Sequence, residues 1–122
     1  MAAALALVRE RFGADLRAVV LAGSHAAGTA RAGSDVNLIV VAANVPPHGP
    51  DRRALARDLG RAFLWSGHGR LSVDLMAPDE ASPLEPGDYR VLAGAGGETV
   101  ACLLPSDRFT EDGGRWTSQL PF

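Results

Sequence analysis

The stretch that decides the fold is "GSHAAGTARAGSDVNLIV", residues 23–40, in which a glycine-serine turn leads through small residues into an apolar strand. A short apolar, β-branched run, Leu16–Leu21, precedes this stretch and is typical of a buried strand. The glycine-serine turn therefore lies at the carboxyl end of one strand. Asp35 lies where a second strand, Val36–Val41, begins.

The spacer between these two strands is rich in alanine and glycine. Residues Ser24–Ala30 predict a short helix, and Gly33 and Ser34 predict the turn that leads into the second strand. A glycine followed by a small hydroxyl residue lets backbone N–H groups approach a phosphate closely. The pattern indicates a phosphate-binding turn, and the alternative is a plain strand-to-helix turn with Ser24 as the helix cap.

Apolar periodicity predicts the other elements. The patterns indicate helices over Ala2–Phe12 and Arg52–Trp65 and a half-buried strand over Leu71–Met76. We expect Asp51 to cap the second helix, and Phe63 and Trp65 of that helix to be core residues. Two structures fit residues 83–104: a hairpin of Tyr89–Leu92 with Thr99–Leu103, or a short helix before a final strand. We expect an α/β (α+β) domain with a mixed sheet of about four strands flanked by helices.

Composition limits the classes of function. The chain has 122 residues, 47% of them hydrophobic, and a formal net charge of -2, so we expect one globular domain with no basic footprint for nucleic acid. The single cysteine, Cys102, excludes an internal disulfide and favours a reducing, cytoplasmic compartment. The apolar start, Met1–Val8, lacks the basic residues of a secretory signal, and no run approaches the ~18 apolar residues of a membrane span.

Three polar residues in or beside the predicted strands form the candidate centre. In a strand, Asp35 and Asn37 point to one face because they alternate with Val36, and Asp74 in the later strand could join them. Oxygen-bearing side chains next to a phosphate-binding turn are a plausible site for Mg²⁺ carrying a nucleoside triphosphate. The three histidines lie in unrelated loops without ligand spacing, and we assign no metal to them.

On these residues the chain resembles the minimal nucleotidyltransferases of the DNA polymerase β superfamily. The shared pattern is a Gly-Ser, a ten-residue spacer, Asp-x-Asp, and a third Asp in a later strand; the matching residues here are Gly23, Ser24, Asp35, Asn37 and Asp74. The resemblance covers residues 1–104, which we expect to form the nucleotidyltransferase-like domain. It leaves residues 105–122 as a C-terminal extension of unknown role.

The resemblance implies a nucleotidyltransferase fold and the transfer of AMP, or another nucleotide, from a triphosphate to a hydroxyl. Gly23 and Ser24 would hold the terminal phosphates, and Asp35, the residue at 37 and Asp74 would bind Mg²⁺ or Mn²⁺. Arg31 and Ser34 are further candidates for contact with the nucleotide, although Arg31 fits a solvated loop residue equally well. Such domains are often antitoxins of helical HEPN toxins, which makes a small helical protein a candidate partner.

Asn37 departs from the family's second Asp. Its amide offers a neutral oxygen but no charge to offset the repulsion of two metal ions ~3.5–4 Å apart. One unit charge at that distance is worth about 4 kcal/mol at an effective dielectric of ~20. We therefore expect weak activity, and the alternative is a catalytically silent module, such as an antitoxin, that binds a nucleotide or a partner.

Two surface features have alternative interpretations. The arginines at 53, 57 and 61 recur at helical spacing and either face a partner's acidic surface or form a solvated face. The aromatic and apolar residues of the tail, Phe109, Trp116, Leu120 and Phe122, either dock into a partner or a second copy of the chain, or pack over the chain's own sheet.

Overall fold

The computed structural model describes residues 1–118. Within them, the α-helices span Ala2–Phe12 (α1), Ser24–Ala27 (α2), Pro50–Trp65 (α3) and Glu98–Leu103 (α4). The strands span Leu16–Ala22 (β1), Val36–Ala42 (β2), Leu71–Met76 (β3), Asp88–Ala93 (β4), Phe109–Asp112 (β5) and Arg115–Ser118 (β6). Short 3₁₀ turns lie at Gly13–Asp15 and Pro78–Glu80.

The strands form one mixed sheet in the order β3-β2-β1-β4-β6-β5. β2 and β3 pair in parallel, and the other neighbours pair antiparallel. The predicted fold class, a mixed sheet flanked by helices, is confirmed. The predicted number of about four strands is wrong, because the sheet has six.

The additional strands come from the β5–β6 hairpin. These strands are four residues long and bury only Phe109, so they carry no apolar run that would reveal them in the sequence. The hairpin turn is Gly113 and Gly114, both with positive φ (57° and 86°), between the paired residues Asp112 and Arg115. A two-residue turn of this kind requires positive φ at both positions, which glycine adopts readily. The Asp-Gly-Gly sequence was therefore the feature from which the hairpin could have been predicted.

Each face of the sheet buries its own apolar cluster. One cluster lies under α1 and α3 and joins Val19, Leu21, Leu38 and Val40 of the sheet to Val8, Leu59 and Phe63 of the helices. The other lies on the opposite face and joins Val20, Ile39 and Val41 to Val100 and Leu103 of α4 and to Phe109 of β5. We call these the first core and the second core. The predicted burial of Phe63 is confirmed, at 5% exposure.

Two details of α3 differ from the prediction. The helix begins at Pro50 and its N-cap is Gly49, so Asp51 does not cap it and lies in the first turn, where a negative charge suits the helix dipole. Trp65 is 82% exposed and is not a core residue. Phe63 is the last residue of α3 in the first core, and the helix ends two residues later, at Trp65.

The strand predicted over Tyr89–Leu92 is confirmed as part of β4, but its predicted partner Thr99–Leu103 lies in α4, so residues 83–104 form neither the hairpin nor a helix followed by a strand. Gly94 has φ +85°, and a Cβ there would lie 2.4 Å from the Arg17 carbonyl oxygen, so the turn packs tightly on the start of β1. Val100 and Leu103, three residues apart, then face the second core from a helix.

The tail residues divide between the described and undescribed parts of the chain. Phe109 is 2% exposed in the second core, and Trp116 packs against that core. This favours packing over the chain's own sheet for these two aromatics. Leu120 and Phe122 lie outside the described residues. No helix among residues 1–118 is long and apolar enough to span a membrane.

Candidate functional site

The glycine-serine turn closes β1 with a backbone conformation that favours glycine. Gly23 has φ 74° and ψ -153°, and α2 begins at Ser24. The N–H groups of Ala26 and Ala27 both donate to the Gly23 carbonyl oxygen, at 3.1 and 3.0 Å. The turn is therefore tight and fixed by backbone hydrogen bonds. No side chain at residue 23 shields the backbone.

Asn37 lies directly against this turn. The antiparallel register places Asn37 opposite Ala22, the last residue of β1. A Cβ built on Gly23 would lie 2.9 Å from Asn37 Nδ2, closer than real Cβ atoms come to their neighbours. The structure thus brings together two of the residues that the sequence pattern singled out, the turn glycine and the second residue of the Asp-x-Asn pair.

Asp74 shares a sheet face with Asn37. In the parallel ladder, Asn37 pairs with Ser72, and Asp74 pairs with Ile39, two residues further along β2. Val73 packs against the first core and Leu75 lies in it, whereas Ile39 belongs to the second core. Asp74 is therefore exposed on the face opposite its apolar neighbours, as the alternation predicts.

Asp35 lies just outside the strand that carries Asn37. The ladder with β3 begins at Val36, whose N–H donates to the Arg70 carbonyl oxygen at 2.9 Å. The strand alternation therefore does not fix the direction of the Asp35 side chain, which is exposed. Asp35 borders a surface groove between β3 and α3.

The loop before Asp35 is braced by its own side chains. The Ser34 hydroxyl accepts a hydrogen bond from the Arg31 N–H at 2.9 Å, and the Ser34 N–H donates to the Arg31 carbonyl oxygen at 3.0 Å. His25 Nε2 of α2 lies 3.3 Å from the Ser34 carbonyl oxygen. Ser34 thus holds the loop closed, and the Arg31 residue is exposed at its tip.

Arg90 is a residue of the site that the sequence did not indicate. It lies on β4 opposite Leu21, and its Nε donates to the Ala26 carbonyl oxygen at 3.1 Å. This bond ties the short helix α2 to the sheet. No local pattern connects residues this far apart in the chain, so only the sheet topology reveals the contact.

The donor set limits which metal the site can hold. Across residues 1–118, no group of three or more His, Cys, Asp or Glu side chains is placed to hold a metal ion. With an amide at position 37, the candidate set offers the carboxylates of Asp35 and Asp74 only. Mg²⁺ is commonly held by one or two carboxylates together with phosphate oxygens, so this set suits one ion with a triphosphate better than a carboxylate-bridged pair.

A buried arginine organises the opposite end of β3. Arg52 is 8% exposed and donates from Nη1 to Glu80 Oε1 at 2.9 Å and from Nε to the Pro46 carbonyl oxygen at 2.7 Å. The Ala77 N–H also donates to Glu80 Oε1 at 2.6 Å, and this hydrogen bond, with the Arg52 charge, lowers the pKa of Glu80. These contacts fasten the start of α3 to the end of β3, away from the glycine-serine turn.

No protein-family model matches the chain. The chain is 38% identical over 74 residues to a Methanocaldococcus jannaschii protein named "putative protein adenylyltransferase", covering 61% of this chain and 50% of that protein. The chain thus spans about half the length of the curated relative it matches.

Among solved structures, the chain is similar to a crystal structure of a toxin-antitoxin with AMP-PNP. The identity is 24%, the TM-score is 0.47, and the match covers 64% of this chain and 56% of the other.

Proposed function

We propose that this chain is a nucleotidyltransferase-type domain that transfers AMP from ATP to a hydroxyl group of a protein and releases pyrophosphate, with activity attenuated by Asn37. The observation that carries the proposal is the close approach of Asn37 to Gly23, which sets the glycine-serine turn against the second residue of the Asp-x-Asn pair. The similarity to a protein named as an adenylyltransferase supports the same reaction class. AMP is the proposed group because that relative is named for adenylyl transfer.

Several residues of the chain would have separate roles in binding the triphosphate. The Gly23–Ser24 turn would receive the terminal phosphates on backbone N–H groups, since residue 23 has no side chain to hold the anion away. Arg31 is exposed at the loop tip and can approach the triphosphate. Ser34 contributes by keeping that loop closed. Arg90 keeps α2 in place under the turn.

Asp35, Asn37 and Asp74 would hold the cation that accompanies ATP. Bound Mg²⁺ or Mn²⁺ supplies charge stabilisation for the transferring phosphoryl group. Of the three residues, Asn37 contributes a neutral oxygen, and its Nδ2 faces the turn. The negative charge at the centre is therefore lower than with a third carboxylate, which is the physical basis for attenuated transfer.

The site assignment predicts that Asp35→Ala weakens the binding of Mg·ATP. The substitution removes one of the two carboxylates available to the cation, so we expect the affinity to fall about tenfold or more, by analogy with the loss of a charged hydrogen-bonding partner. Isothermal titration calorimetry measures the change. The matched control is Asp107→Ala, an exposed turn residue far along the chain. Equal affinity in native chain and Asp35→Ala would disprove the site.

A second candidate function is a catalytically silent module that binds a nucleotide or neutralises a helical HEPN-type toxin as its antitoxin. The specific observation in its favour is Asn37, which leaves two carboxylates at the centre. Both functions use the same nucleotide turn, so nucleotide binding does not separate them. Transfer of the labelled nucleotide does.

A further inference from the structure

A groove beside the candidate site is lined by arginines. It has a volume of about 450 Å³ and lies between the second half of α3 and the start of β3. Its charged lining residues are Arg57, Arg61, Arg70 and Asp35. Arg57 and Arg61 are one helical turn apart on α3, and Arg70 immediately precedes β3.

The three arginines are largely free of intramolecular partners. Within residues 1–118, Arg61 has one ion pair, with Asp58, and its 3.9 Å separation and high exposure make that pair weak. No ion pair within that range involves Arg57 or Arg70. The groove therefore presents three positive charges against the single carboxylate of Asp35 among its lining residues.

The groove reaches the candidate site around the outer strand of the sheet. Leu71 and Val73 of β3 belong to the first-core face, whereas Ser72 lies on the opposite face and pairs with Asn37. All three line the groove. A chain lying in it would pass from the arginines of α3 to the edge where Asp35 and Asn37 lie.

The shape of the groove suits a peptide with an apolar side chain. Gly60 keeps α3 close to the strand, because a Cβ there would lie 2.8 Å from the Leu71 carbonyl oxygen. Leu64 lines the groove with 51% of its surface exposed. An exposed leucine beside arginines offers an apolar contact flanked by charge, as in many protein interfaces.

We propose that this groove docks an acidic, extended segment of the protein acceptor, and that it guides the acceptor hydroxyl to the site. The inference rests on the proposed function, since Asp35, a residue of the proposed transfer centre, lines the groove. Charge complementarity identifies the occupant as acidic. Nucleic acid fits less well, because the exposed Leu64 beside the arginines offers an apolar contact that a peptide side chain can use and a phosphate backbone cannot.

The test measures binding of a fluorescent random copolymer of glutamate and tyrosine to the full chain by anisotropy, without nucleotide or metal. Arg57→Gln with Arg61→Gln should weaken binding about tenfold, since each exposed charge pair contributes a modest amount. The matched control is Arg9→Gln with Arg53→Gln, two exposed helix arginines that do not line the groove. The control should bind within about twofold of the native chain.

Three outcomes would overturn the inference. They are the absence of copolymer binding to the native chain, an equal loss of binding in the groove variant and its control, and a preference for a single-stranded oligonucleotide of matched charge. Because no nucleotide is present, the binding result tests docking in the groove independently of catalysis. The proposed function is decided separately, by transfer of labelled nucleotide.

Discussion

Asn37 and Gly23 form the contact on which the account depends at the scale of single residues. The Gly-Ser turn and the direction of Asp74 were predictable from the sequence, because local chemistry and strand alternation determine them. The direction of Asp35 was not, because this residue lies just outside β2. The contact itself was not, since it depends on the register that sets Asn37 opposite Ala22. Arg90 was also missed, because its partner Ala26 lies on another element.

We predict that Gly23→Ala reduces ATP affinity more than Gly28→Ala does. Both glycines have positive φ, 74° and 78°, in backbone regions that side chains rarely adopt, so both substitutions carry a strain of about 1–3 kcal/mol. Only at Gly23 would the new methyl group also press on Asn37, 2.9 Å away, whereas a Cβ at Gly28 meets nothing within 4 Å. Urea denaturation measures the shared strain, and calorimetry with Mg·ATP measures the difference. Equal ATP affinities would place the nucleotide elsewhere.

At the scale of elements, β1, β2, β3 and α1 were predictable because each has a clear pattern of apolar residues. After residue 83 the strand Tyr89–Leu92 was predicted correctly, but the helix α4 was not, because the elements are short and the glycine turn at Gly94 is shaped by its approach to β1. The β5–β6 hairpin was missed for a related reason. Its strands are four residues long, and only Phe109 is buried among them.

The burial of Phe109 predicts that the β5–β6 hairpin is part of the stable fold. Phe109 is 2% exposed, and its ring meets Tyr89 edge-on at a centroid distance of 5.7 Å. Phe109→Ala should lower the free energy of unfolding by about 3–5 kcal/mol, as for other buried aromatics. Urea denaturation checks the value, with Glu111→Ala, exposed on the same strand, as the control. A loss below about 1 kcal/mol would show that the hairpin contributes little.

At the scale of the whole molecule, the sheet separates two cores and leaves the candidate site residues near one corner. The end of β1, the start of β2 and the start of β3 meet there, next to the arginine groove. The sequence could locate the candidate residues but not the groove, because the groove combines α3 with the outer strand. The helical spacing of Arg57 and Arg61 was visible, whereas their position beside Arg70 and Asp35 required the fold.

The measurement that tests the central claim most directly is transfer of label from α-labelled ATP, with Mg²⁺ or Mn²⁺, to total cell protein. The native chain is compared with Asn37→Asp, which adds a carboxylate beside Gly23, and with Asn37→Asp combined with Asp35→Ala as the inactive control. We predict weak transfer by the native chain, transfer stronger by about tenfold or more with Asn37→Asp, and none by the control. Absence of transfer by both the native chain and a folded Asn37→Asp variant that still binds Mg·ATP would contradict it.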